Sequence, residues 1–186
     1  MGKMIPVGYM AKHLATRPDW LKDAHQVKDI YSVSGCISEN FADYIEYWKH
    51  NGYWLFDSPQ IIEKIAKQNS LDIAATKLFF YEAYEFEYDE HEKSWKPFDP
   101  DEDFVTKIHE PDNKTLEGFD VATFWARTKP ECSPLSCNSL AKEIETDEHC
   151  LLPSFDRAKE LLEDGKFENS ERGPYRIFAV YSVPWP

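Results

Sequence analysis

A chain of 186 residues with 34 acidic against 21 basic side chains, a net charge of −13, repels phosphate backbones and anionic lipid surfaces. Nucleic acid and membrane are thereby excluded as expected partners, and a protein with a basic patch is the partner the charge admits. Four cysteines (Cys36, Cys132, Cys137, Cys150) are ordinary for a reducing compartment, no stretch reaches the roughly 18 apolar residues of a bilayer span, and Met1–Met10 lacks a signal peptide's apolar run, so a cytoplasmic protein is expected.

Aromatic residues make up 15% of the chain, enough to build the core of a single α+β domain over 1–186. The first 28 residues read as a lead-in strand and loop, with Arg17-Pro18-Asp19-Trp20 turning into a short helical stretch. Ile30–Val33 predicts a strand, Asn40–Lys49 a helix burying Phe41, Ile45 and Trp48 at i, i+4, i+7, and Tyr53–Phe56 a second strand. Ser58-Pro59 supplies an N-cap and a first-turn proline for a helix that buries Ile61, Ile62 and Ile65.

Leu78–Tyr88 alternates, with Tyr84, Phe86 and Tyr88 on one side and Glu85, Glu87 and Asp89 on the other, which predicts an outer strand with one face in the core. Residues 89–119 are charged and turn-rich, a connector expected to hold one short strand around Phe104–Ile108. The pattern then restarts. Asp120–Phe124 predicts a strand, Ser139–Ile144 a short helix, and His149–Leu152 a strand. Ser154 caps a helix that buries Ala158, Leu161 and Leu162 and stops at Gly165. Tyr175–Val183 is apolar on both faces and reads as a central strand.

The matching order on either side of the connector predicts an internal duplication of a β-α-β-α-β unit, residues 29–88 and 120–183, with helices packed on a mostly antiparallel or mixed sheet. A cleft between the copies is the expected place for a ligand.

Three chemistries suit the string Glu131–Asn138 with its two cysteines. Cys132, Cys137, His149 and Cys150 form a ligand set that zinc accepts, although adjacent strand residues such as His149 and Cys150 point to opposite faces. Cys137 near a helix start is a candidate nucleophile with His149 or His109 as its base, and a redox-sensitive bridge between Cys132 and Cys137 is conceivable. Ser34-Gly35-Cys36 and Leu135-Ser136-Cys137 occupy similar loops suited to backbone anion binding, while packing is the default for Cys36 and Cys150.

Glu82 is a candidate acid or base on the aromatic side of its strand, and Trp48, Tyr53, Trp54, Tyr81 and Tyr84 are candidates for stacking a ligand ring. No phosphate loop, dinucleotide fingerprint, nucleophile elbow or HExxH pattern occurs, so no cofactor is expected. The leading expectation is a non-catalytic binding or regulatory protein presenting Glu85, Glu87, Asp89, Asp101, Glu102 and Asp103 to a basic partner. Its rival is an enzyme or small-molecule binder with a Cys/His/Glu pocket between the halves.

Overall fold

The computed structural model describes residues 2–38, 41, 51–98, 108–125 and 130–186. Within these residues six strands form one sheet: β1 (Met4–Lys12), β2 (Lys77–Tyr84), β3 (Phe86–Asp89), β4 (Ser94–Pro97), β5 (Thr115–Thr123) and β6 (Tyr175–Val183). Among the described residues three helices accompany them, α1 (Pro59–Asn69), α2 (Pro134–Cys137) and α3 (Phe155–Glu163), so the class is α+β. Among the described residues no helix is long and apolar enough to cross a membrane.

Every ladder is antiparallel. β6 is central: β2 and then β3 line one of its edges, β5 the other, and β1 pairs with the far side of β2. The apolar run of β6 matches this position. Phe178 and Val180 join a core cluster with Ile62, Ile65 and Ala66 of α1, while Tyr175 and Ile177 join a second cluster with Ala158, Leu161 and Leu162 of α3. That alternation is the two-residue period of a strand buried on both faces.

Helix starts follow the local sequence. Ser154 accepts the Arg157 N–H at 3.1 Å, and Gly165 takes φ 72 just past the helix. Ser58 places Pro59 in the first turn without a side-chain cap bond of its own.

Leu78–Tyr88 departs from the expected outer strand. It breaks at Glu85 into β2 and β3, and β2 lies inside the sheet because its one carboxylate, Glu82, bonds Lys114 and Tyr181; on β3, Glu87 is buried near Arg176. Ile30–Val33 forms no strand, since its carbonyls turn toward Lys12. Tyr53–Phe56 and His149–Leu152 contribute one bridge each, Phe56 to Tyr9 and Leu152 to Phe119. Ser139–Ile144 holds a single 3-10 turn, Leu140–Lys142. β5 starts inside the expected connector, at Thr115, because it pairs along the full length of β6. The expected helix Asn40–Lys49 lies outside the described residues except for Phe41, as does the expected strand around Phe104–Ile108 except for Ile108.

One local arrangement occurs twice. Asn51 Oδ1 accepts the N–H groups of Tyr53 and Leu55, and Asp147 Oδ1 accepts those of His149 and Leu151. Each turn contains a residue at positive φ, Trp54 at 58° and Cys150 at 64°. Each then bonds an outer strand at a bulge, beside Gly8 in β1 and Gly118 in β5. A Cβ on Gly8 would lie 2.8 Å from Phe56 O and 2.8 Å from Leu55 Cβ, at φ 135. Gly8→Ala is therefore expected to cost about 1–3 kcal/mol from backbone strain alone, read as a lower urea midpoint at unchanged slope.

Candidate functional site

Two fully buried charges organise the region. Lys12, at the end of β1, donates to the carbonyls of Ser32, Val33 (3.2 Å) and Ser34 (2.8 Å). Asp120 of β5 accepts from Val33 N–H at 2.8 Å, from the Ser133 hydroxyl at 2.6 Å and from Val121 N–H at 2.9 Å. Ser133 Oγ in turn accepts the Ser34 N–H at 3.3 Å. Burial pushes the Lys12 ammonium down to about 8 and the Asp120 carboxyl up to about 6, each opposed by the other's charge.

This network pins the 32–36 loop against the segment entering α2. Glu131 and Cys132 are held to the end of β5 by two backbone bonds with Thr123, Thr123 N–H to Cys132 O at 2.8 Å and Glu131 N–H to Thr123 O at 3.0 Å, and by the Cys132 N–H donating to Thr123 Oγ1 at 3.1 Å. Ser133 O accepts Cys137 N–H at 2.9 Å, closing the α2 turn.

The result brings three sulfurs together. Cys36, Cys132 and Cys137 present Sγ atoms all within 4.8 Å of one another, Cys36 exposed, Cys137 half-buried and Cys132 buried. Cys36 Sγ donates to Glu131 O at 2.9 Å, Cys132 Sγ to Asn138 Oδ1 at 3.4 Å, and Cys137 Sγ lies 3.8 Å from Ser34 Oγ. Hydrogen bonds from Cys132 and Cys137 pull the Cys36 thiol well below the ordinary range. Bonding to Cys137 and Cys36, together with burial, pushes Cys132 up. The bond with Cys132 lowers the Cys137 thiol, but the bond to Cys36 and burial outweigh it and leave the thiol raised.

Cys132 and Cys137 thus meet as the sequence suggested, but their third partner is Cys36, which was expected to pack. Cys36 follows the loop that Lys12 gathers and emerges exposed. His149 and Cys150 stand apart from this group. The His149 ring stacks on Tyr31 at 3.9 Å and its Nδ1 lies 2.5 Å from Asp29 Oδ1, whereas Cys150 is buried in the α3 cluster, where desolvation raises its thiol. The 32–34 loop spends its N–H groups at Val33 and Ser34 on Asp120 and Ser133 and offers its carbonyls to a cation, the reverse of an anion cradle.

Glu82 is an ion-paired strand residue, 2.6 Å from Lys114 Nζ and 2.9 Å from the Tyr181 hydroxyl. Tyr81 is fully buried, and Tyr84 packs among Phe86, Trp95 and Phe155. Trp54 belongs to the Asn51 turn, partly exposed. Of the acidic set, Glu85 accepts the Lys3 N–H, Glu87 is buried, Asp89 is paired to Lys96 at 2.9 Å, and Asp101, Glu102 and Asp103 lie outside the described residues. A cleft of about 490 Å³ between Tyr9, His109, Asp112 and Trp185 includes none of the residues singled out for chemistry except His109.

Two buried charges escaped the sequence reading. Lys12 ends a strand whose neighbours Met10 and Ala11 are apolar, and Asp120 interrupts the run Phe119–Ala122; a charge inside an otherwise apolar strand was the available signal. Comparison with family models, curated proteins and solved structures finds no match to this chain.

Proposed function

We propose that the chain is a thiolate metal-binding protein of the cytoplasm, holding a soft ion such as zinc or copper(I) through Cys36, Cys132 and Cys137. The observation that carries this reading is the convergence of three sulfurs within 4.8 Å of one another. Metal–sulfur bonds of about 2.3 Å place tetrahedral thiolates less than about 4 Å apart, so small side-chain rotations close the site. Three thiolates around a divalent ion leave a net negative charge, which the buried Lys12 ammonium offsets electrostatically. The thiol protons that now go to the Glu131 carbonyl and Asn138 Oδ1 leave when a metal binds, and Ser34 Oγ, 3.8 Å from Cys137 Sγ, is placed to donate to a metal-bound thiolate there. Three protein ligands leave a fourth position for water or a small ligand.

The proposal extends to the architecture. The paired Asn51 and Asp147 turns, the bulges at Gly8 and Gly118 and the helices after Ser58 and Ser154 support an internal duplication, with units that begin at β1 and β5 rather than at residues 29 and 120. The metal then joins a cysteine of one unit to two of the other.

Titration of the reduced, chelator-treated chain with zinc, and with cobalt(II) as an absorbing probe, tests the reading. One equivalent should bind, with a thiolate-to-cobalt charge-transfer band. Cys132→Ser and Cys137→Ser should each weaken binding about 100-fold or more, and Cys150→Ser should leave it unchanged. Equal affinity in the Cys132→Ser and native chains would overturn the proposal.

A further inference from the structure

We infer that the same thiol cluster, in its metal-free reduced form, reduces hydroperoxides, with Cys36 as the attacking thiol and Cys132 or Cys137 as the resolving one. This activity does not depend on metal binding; it rests on the graded exposure of three sulfurs held at mutual contact distance. Cys36 is open to solvent, where a small peroxide reaches it, and its neighbours are half-buried and buried, where a peroxide does not reach them first.

The step balances. The Cys36 sulfur attacks one peroxide oxygen, an S–O bond forms and the O–O bond breaks, and the departing oxygen takes a proton to leave as water or alcohol. The resulting sulfenic acid is attacked by the neighbouring thiol; an S–S bond forms, the S–O bond breaks and a second water leaves. Two thiols supply the two electrons that the peroxide consumes, and an external dithiol returns them.

The geometry favours this outcome over irreversible oxidation. A sulfenic acid without a thiol partner continues to sulfinic acid, whereas here either neighbour lies within 4.8 Å of the oxidised sulfur. Cys150 lies in the α3 cluster, outside this group, and serves as an internal control.

The test uses the full chain, reduced and freed of metal by a chelator, treated with one equivalent of hydrogen peroxide. Two of the four thiols should be lost. Intact mass should fall by two hydrogens, and peptide mapping should find Cys36 bridged to Cys132 or Cys137. Dithiothreitol should restore all the thiols and allow repeated rounds of peroxide consumption. Cys36→Ser, a change at an exposed position, should slow consumption about tenfold or more while circular dichroism stays native. Unreduced rates in Cys36→Ser, or Cys36 carried to sulfinic acid beside two intact neighbouring thiols, would overturn the inference. The zinc titration is read separately, so a chain that binds zinc without reducing peroxide, or the reverse, distinguishes the two proposals.

Discussion

Asp120→Ala is expected to lower the free energy of unfolding by about 3–5 kcal/mol, because it leaves the fully buried Lys12 ammonium without its opposing charge. It also strands the Val33 N–H and the Ser133 hydroxyl, both of which now end on Asp120 Oδ2. Lys12→Met alone should be costly for the mirror reason, with Asp120 left buried and ionised. The double variant Lys12→Met/Asp120→Val should recover part of the loss, and a coupling energy near zero in the double-mutant cycle would remove the pair from the account of stability. Lys12 further marks itself by pH. Its folded-state value, about 8, lies below the unfolded 10.5, so the folded chain sheds this proton first and the penalty of a buried charge is relieved as pH rises through that window. Unfolding free energy should therefore climb more steeply above pH 8 in the native protein than in Lys12→Met. Parallel profiles in urea titrations would contradict this.

The second large effect is expected at Arg176, with Arg176→Ala costing about 3–5 kcal/mol through a large cavity and lost hydrogen bonds. β2 and β3 separate at Glu85, and the Tyr84 carbonyl lies at this break, just past the last β2–β6 pair, Ala83 with Phe178. The Arg176 guanidinium meets it with both Nε, at 3.1 Å, and Nη2. The same flat group lies 3.8 Å from the centre of the Phe98 ring, with Tyr53 and Phe124 at 5.1 and 5.7 Å. Lysine presents a compact ammonium and no flat surface, so Arg176→Lys should retain the charge yet lose about 2 kcal/mol. Full stability in that variant would show that the charge alone matters. Chemical denaturation at neutral pH measures both.

Legibility in the sequence followed the range of the interactions. The α3 cap at Ser154 and its stop at Gly165 depend on residues within a turn or two, and β6 declares its central place by its own apolar run. The α+β class and the predominance of antiparallel pairing followed from these elements. The inside position of β2 did not, because Glu85, Glu87 and Asp89 pointed to an edge, and the Lys114 and Tyr181 that hold Glu82 inside the sheet lie 32 and 99 residues away. The thiol centre was half legible. Cys132 and Cys137 lie close in sequence, whereas Cys36 bonds a carbonyl 95 residues away through a loop without regular structure, placed there by two charges hidden in apolar strands. Periodicity has no access to such a contact.

The central place of β6 constrains the order in which the molecule can be completed. On a ribosome it is the last of the described strands to emerge, yet β2, β3 and β5 all take hydrogen bonds from it. Until Tyr175–Val183 arrives, the nascent sheet has a gap at its centre with apolar surface bared on either side, so closure waits for synthesis to pass that point. Stalled or truncated products ending before Tyr175 should be chaperone clients rather than smaller versions of the fold.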